Sequence, residues 1–259
     1  MLKMEKLIVL IRSTIAYFIV YPIFSFFILF NFFIPSRGQY YKFYQKYMLG
    51  LNKINRKLLA IICGFEVEYR GLENIKKGKF IVASKHQSAF ETYMLFDEFF
   101  NNVYWVMKES IIKTFTIGNA IKKLKIVPIN RKTIAVNAFV KACEDWFLDK
   151  EDAQLVLFPE GTRGDIYKKY KYKKGVFYVY ENYKVPVIPV ALTTGVCMPS
   201  KKYCMYSGKI IVEFLPPIEI GLGYDDFMGK LENTIENKTN ELLAEIPENL
   251  LIRELKKVK

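Results

Sequence analysis

The sequence predicts an α/β domain with a largely parallel or mixed central sheet flanked by helices, preceded by membrane-associated helices. Three observations carry this expectation. After Gly64, short apolar runs alternate with amphipathic stretches, the pattern of strands joined through helices. The N-terminal region holds a long stretch without a single charge. The hydrophobic fraction of 51% and aromatic fraction of 16% stand beside an ordinary charged fraction of 25%, so the apolar excess must be localised. A chain of 259 residues has room for one substantial core, which divides it into N-terminal helices over 1–63 and an α/β domain over 64–259.

The uncharged stretch runs from Ser13 to Ser36. At about 1.5 Å per residue it is long enough to cross a hydrocarbon core of about 30 Å. A cleavable signal peptide fits less well, because Asn31, Pro35 and bulky aromatics stand where small residues would be needed. Pro22, near the middle, predicts a kink. Lys3, Lys6 and Arg12 precede the stretch and Arg37, Lys42 and Lys46 follow it. A spanning helix usually has its basic bias on one side only, so this symmetry favours a re-entrant or interfacial hairpin. From Gln39 to Ile62, Tyr40, Tyr41, Phe43, Tyr44 and Tyr47 alternate with Lys42, Lys46, Lys53, Arg56 and Lys57. That suits a helix lying on an anionic bilayer, or equally one packed on the α/β domain.

Strands are predicted at Phe65–Arg70, Phe80–Ser84, Val103–Met107, Lys125–Ile129, Gln154–Phe158, Val187–Leu192 and Lys209–Phe214. Helices are predicted at Ala89–Phe100, Ile111–Lys123, Thr133–Asp149, Val176–Asn182 and Asp225–Ala244. In open α/β sheets, ligands bind beyond the carboxyl ends of the strands. Those positions hold Lys85 and His86, then Lys108 and Glu109, then Asn130 and Arg131, then Pro159, Glu160, Gly161, Thr162 and Arg163. If the strands are parallel, one base and several cations converge on one edge, a site for an anion.

His86 is the only histidine. Glu91 is close enough in sequence to hold its Nδ1–H and leave Nε2 free to take a proton. Ser88 to Glu91 also reads as a capping box, with Ser88 as N-cap and Glu91 at N3, which needs no catalysis. A carboxylate–imidazole pair suffices for an alcohol attacking a thioester, without a metal or redox cofactor. Lys108, Arg131 and Arg163 could clamp a phosphate.

Other classes find less support. The net charge of +13 suits nucleic acid, an anionic membrane or a phosphorylated substrate, or reflects lysines that merely solvate the surface. Four cysteines form no C-x-x-C pair and one histidine makes a zinc site poorly supported, so buried thiols are expected. No glycine-rich phosphate loop and no nucleic-acid module is present. The Tyr/Lys-rich stretch Tyr167–Lys174 leaves a membrane-tethered module binding nucleic acid or anionic lipid as the reading from a different class.

Lys85-His86-Gln87-Ser88-Ala89-Phe90-Glu91 resembles the H-x4-D/E motif of the glycerolipid acyltransferases, and Phe158-Pro159-Glu160-Gly161-Thr162-Arg163 matches that family's F-P-E-G-T-R block. Ile126 to Arg131 and Val185 to Val190 resemble the other two blocks, so four stand in the family's order. The chain is most similar to the bacterial 1-acylglycerol-3-phosphate acyltransferases. That resemblance implies acyl transfer from acyl carrier protein or coenzyme A to the sn-2 hydroxyl of lysophosphatidate, giving phosphatidic acid, with no cofactor and no nucleic acid. It implies His86 and Glu91 as the catalytic pair, with Lys108, Arg131, Glu160, Gly161, Thr162 and Arg163 at the acceptor site. It implies a two-helix membrane-docking element and a place on the cytoplasmic side of a bacterial inner membrane. Two residues depart from the family's commoner choice: Glu91 and Asn130 each replace an aspartate. Glycerol 3-phosphate, another lysophospholipid or an ornithine lipid are the alternative acceptors.

Overall fold

Strands that are apolar on both faces belong in the middle of a parallel sheet, where helices cover both sides. Phe80–Ser84 and Val187–Leu192 are of this kind, and each is buried along its whole length. The computed structural model describes residues 2–29, 33–34, 40–99, 103–114, 118, 123–130, 135–149, 153–200 and 202–250.

The N-terminal part begins with α1 (Leu2–Ile15), a π-helical segment (Ala16–Val20) and α2 (Tyr21–Leu29), followed by α3 (Tyr41–Cys63). The expected kink at Pro22 takes the form of that π segment. Proline offers no N–H and crowds the preceding turn. The helix absorbs this by widening, with the Tyr21 N–H donating to the Ala16 carbonyl five residues back. The stretch Met4–Phe27 is long and apolar enough to cross a membrane. α3 packs against this helix and against the α/β domain, and the Tyr47 hydroxyl donates to the Phe27 carbonyl. α3 ends at Gly64, whose φ of 75° is the left-handed conformation that closes a helix without a Cβ clash.

The domain continues with β1 (Phe65–Arg70), β2 (Phe80–Ser84), α4 (Phe90–Glu98), β3 (Val103–Lys108), α5 (Glu109–Ile112) and β4 (Ile126–Ile129). Then come α6 (Val136–Ala142), α7 (Glu144–Leu148), β5 (Gln154–Leu157), α8 (Gly175–Tyr183), β6 (Val187–Leu192), α9 (Thr194–Cys197), β7 (Gly208–Phe214) and α10 (Tyr224–Ala244). The expected single helix over Thr133–Asp149 is two, broken at Cys143; positions 133 and 134 lie outside the described residues. Most of the expected helix Ile111–Lys123 also lies outside them.

The seven strands are ordered β1-β7-β6-β2-β5-β3-β4. All neighbours are parallel except β6 and β7, which pair antiparallel with Val190 opposite Phe214. The sheet is therefore mixed. Between β6 and β7 the chain turns back through α9 and a loop, with no helical crossover of the kind a parallel neighbour requires. β2 lies at the centre, with Ile81 opposite Leu155 of β5 and Val82 opposite Ile188 of β6. Side chains alternate across it: Val82 joins the core beneath α4 and the N-terminal helices, while Ile81 and Ala83 join that beneath α6 to α8 and α10.

The hairpin of α1–α2 and α3 leaves an apolar face uncovered. Phe18 is 71% exposed, Phe26 58%, Phe43 60% and Ile61 76%. On α3 the buried positions Leu51, Asn52, Asn55, Leu59 and Cys63 follow the helical repeat, so one face meets the protein and the other meets the surroundings. Of the two alternatives for this helix, packing on the α/β domain is realised on its buried face. Cys63, Cys143 and Cys197 are buried thiols, and burial pushes Cys143 up to about 12.

Candidate active site

The carboxyl end of β2 runs directly into the site. Ser84, Lys85, His86, Gln87 and Ser88 are all buried, and the Lys85 N–H donates to the Val190 carbonyl of β6 as the last sheet-like bond. Polar residues this deep require partners.

Glu91, on α4, supplies most of them. Its Oε1 accepts the N–H groups of Gln87 and Ser88 at 2.5 Å and the Thr194 hydroxyl at 2.7 Å. The Ser88 hydroxyl accepts the Phe90 N–H at 3.2 Å. The reciprocal pattern of the capping box is present, but shifted: the N-cap is Ala89, and Glu91 lies one residue nearer the helix start than expected. The second oxygen, Oε2, faces His86 Nδ1 at 3.8 Å. Both atoms are buried and neither has another hydrogen-bond partner. The separation exceeds a hydrogen bond, and pairs of this kind tighten when substrate closes a site. One oxygen of this carboxylate therefore orders the turn, and the other stands 3.8 Å from the imidazole.

The rest of the His86 environment comes from the turn after β5. Pro159 presets the backbone for the second position of a turn in which Gly161 N–H donates to the Phe158 carbonyl at 2.9 Å. Gly161, at φ 66°, reverses the chain where a side chain would be strained. Phe158 stacks on the imidazole with ring centroids 3.9 Å apart and planes at 16°. Glu160 points inward: its Oε1 accepts the His86 N–H at 2.8 Å. The Gly164 N–H donates to the His86 carbonyl at 2.7 Å. Both peptide groups of His86 are thus held by one turn.

Beneath that turn a charged cluster joins Lys85 and Glu160 to Glu236 and Tyr172, which sequence alone does not bring to the site. Lys85 is 2% exposed, and its Nζ sits 2.7 Å from Glu236 Oε1 and 3.5 Å from Glu160 Oε1. The Tyr172 hydroxyl donates to Glu236 Oε1 at 2.9 Å. Burial pushes the Glu160 carboxyl up to about 7, against the pull of Lys85 and of the His86 amide.

Thr162 and Arg163 leave the turn exposed. Arg163 lines a cleft of about 230 Å³ with Gly164, Asp165, Lys168, Tyr170, Gly195 and Lys202. Its inner wall meets the site, since the Gly195 N–H donates to Gln87 Oε1 at 3.0 Å. A Cβ on Gly195 would stand 2.4 Å from Ile166 Cγ2 and 3.1 Å from Gln87 Cβ. Gly195→Ala is accordingly expected to cost about 1–3 kcal/mol of stability, read by thermal denaturation.

The structure brings together His86, Glu91, Glu160 and Gly161, and sets Arg163 at the adjoining cleft, with Thr162 exposed before it in the chain. Glu160, expected among the acceptor ligands, uses its Oε1 to accept the His86 backbone N–H. Lys108 is exposed at the end of β3, separated from β2 by β5, about 10 Å at ordinary strand spacing. Arg131 lies outside the described residues. Sequence reasoning missed Phe158 as a stacking partner, and Lys85, Tyr172, Thr194 and Glu236 as polar partners.

Comparison with known proteins gives concordant results. A family model described as Acyltransferase matches residues 66–193. The 1-acyl-sn-glycerol-3-phosphate acyltransferase of Pseudomonas aeruginosa is 30% identical over 191 residues, 73% of this chain and 73% of that protein. The protein of the same description from Saccharomyces cerevisiae is 26% identical, covering 73% of this chain and 63% of its own length. The crystal structure of the 1-acyl-sn-glycerophosphate (LPA) acyltransferase from Thermotoga maritima superposes with a TM-score of 0.73 at 23% identity, over 93% of this chain and 98% of that one. That last likeness concerns the fold.

Proposed function

This chain belongs to the acyltransferase family, and from that premise we propose that it moves a fatty acyl group from an acyl thioester to the sn-2 hydroxyl of 1-acylglycerol 3-phosphate, giving phosphatidic acid. The observation that carries the reading is the buried His86 Nδ1 facing Glu91 Oε2 at the end of the central strand. In the proposed reaction His86 Nε2 takes the proton of the acceptor hydroxyl as its oxygen attacks the thioester carbonyl. The tetrahedral intermediate then collapses, the carbon–sulfur bond breaks, and the imidazolium returns the proton to the leaving thiolate. Glu91 steadies the imidazolium through Nδ1–H, and the two substrates supply both bonds exchanged, so the chemistry calls for no metal or redox cofactor.

In this reading Arg163, which lines the adjoining cleft, pairs with the acceptor phosphate, and Lys108, at the end of β3, and Arg131 are further cations proposed for it. The donor is acyl carrier protein or coenzyme A thioester, both of which meet the enzyme from the aqueous side. The acceptor comes from the bilayer, which the uncovered apolar face of α1–α3 suits. The proposed location is the cytoplasmic face of a bacterial inner membrane.

The test is acyl transfer by the purified full chain in anionic liposomes, with lysophosphatidate, glycerol 3-phosphate, other lysophospholipids and lyso-ornithine lipid as acceptors. Each donor type is tried in turn. The expected result is phosphatidic acid from lysophosphatidate at the highest kcat/KM. Preference for another acceptor would overturn the assignment of substrate.

A further inference from the structure

Buried charge is expensive, and a lysine is almost never taken wholly inside unless it is paired. Lys85 is 2% exposed and stands immediately before His86. Its closest carboxylate, Glu236 on α10, is 151 residues away in sequence, so no local turn or cap requires the pair. The same lysine reaches the Glu160 oxygen that accepts the His86 N–H. Tyr172, from the loop before α8, donates to the same Glu236 oxygen. A continuous path of polar contacts therefore runs from the C-terminal helix to the peptide group of His86.

We propose that Glu236 and Lys85 are positioning residues for the acyl transfer, a buried pair that sets the place and charge of the Glu160 carboxylate beneath His86 and so aims its imidazole. An ionised carboxylate grips an N–H more strongly than a neutral one. The groups facing Glu160 act on it in opposite senses: Lys85 and the His86 amide favour the anion, whereas burial and the charge of Glu236 oppose it. Tyr172 completes the ring of polar groups around this cluster. The proposal rests on the acyl-transfer reading above.

Opposed influences give a signature that a purely structural pair would lack. Glu236→Gln removes a negative neighbour and is expected to move the acid limb of the kcat profile to lower pH. Lys85→Met removes the positive one and is expected to move it to higher pH. Both are expected to lower kcat at neutral pH by about 10- to 100-fold, the scale of a small misplacement of a catalytic group, with KM for the acceptor within about threefold. The full chain in liposomes is assayed with lysophosphatidate and an acyl thioester from pH 5 to 9, and folding is followed by circular dichroism. Folded variants with wild-type kcat, or with acid limbs that stay in place or move the same way, would overturn the proposal. If either variant fails to fold, Tyr172→Phe decides, because it removes only the hydroxyl. A severalfold fall in kcat at unchanged KM then supports the proposal and wild-type kcat overturns it. Absence of turnover in the wild type would instead defeat the acyl-transfer reading itself.

Discussion

His86→Ala is expected to lower kcat for acyl transfer by about a hundred- to ten-thousand-fold while KM for the acceptor and binding to liposomes stay close to wild type. The size of the loss follows from the role. An unassisted alcohol is a poor nucleophile at neutral pH, and the chain offers no second imidazole to substitute, because it contains one histidine. Activity that remains should come from holding the two substrates together, which the substitution leaves alone. Stability should fall only modestly, by about 1 kcal/mol for the lost stack on Phe158, since the backbone of residue 86 stays bonded to Glu160 and Gly164. In the proposed arrangement membrane binding rests on the uncovered face of α1–α3, to which His86 does not belong. Steady-state kinetics beside liposome flotation separate these effects. A variant retaining a tenth or more of wild-type kcat, or one that leaves the membrane, would contradict the assignment.

What was legible in the sequence was whatever depends on local pattern. The strands were readable because a buried parallel strand is apolar on both faces, as in Val187–Leu192, and the place of His86 followed from the rule that strand ends carry chemistry. What depends on distant partners was not legible. Lys85 looks like any surface cation until Glu236 is brought against it from α10. Glu160 sits in a block of charged residues that all read as ligands, yet the turn at Pro159–Gly161 sends it inward and Arg163 outward. The antiparallel entry of β7 was hidden for a related reason: strand patterns carry no direction, and only the length and course of the connection decide it.

Glu91→Gln is expected to lower kcat by about three to four orders of magnitude with little change in stability, about 1 kcal/mol or less. The two oxygens of Glu91 make the argument. Oε1 accepts from Gln87 N–H, Ser88 N–H and the Thr194 hydroxyl, so a glutamine must keep its carbonyl oxygen there, where an amide nitrogen could only clash donor against donor. The glutamine NH₂ is then forced into the place of Oε2, facing His86 Nδ1. An amide donor at that position makes Nδ1 the acceptor and puts the ring's proton on Nε2, the nitrogen that has to receive one. The imidazole is held in the wrong tautomer, while the turn at Ser88 remains bonded. Glu91→Ala separates the roles further, because it also strands two buried N–H groups at about 1–3 kcal/mol each. Urea unfolding beside steady-state kinetics reads both quantities. Should Glu91→Gln keep kcat within about threefold of wild type, the carboxylate serves only to order the turn, and the 3.8 Å approach to Nδ1 has no part in the chemistry.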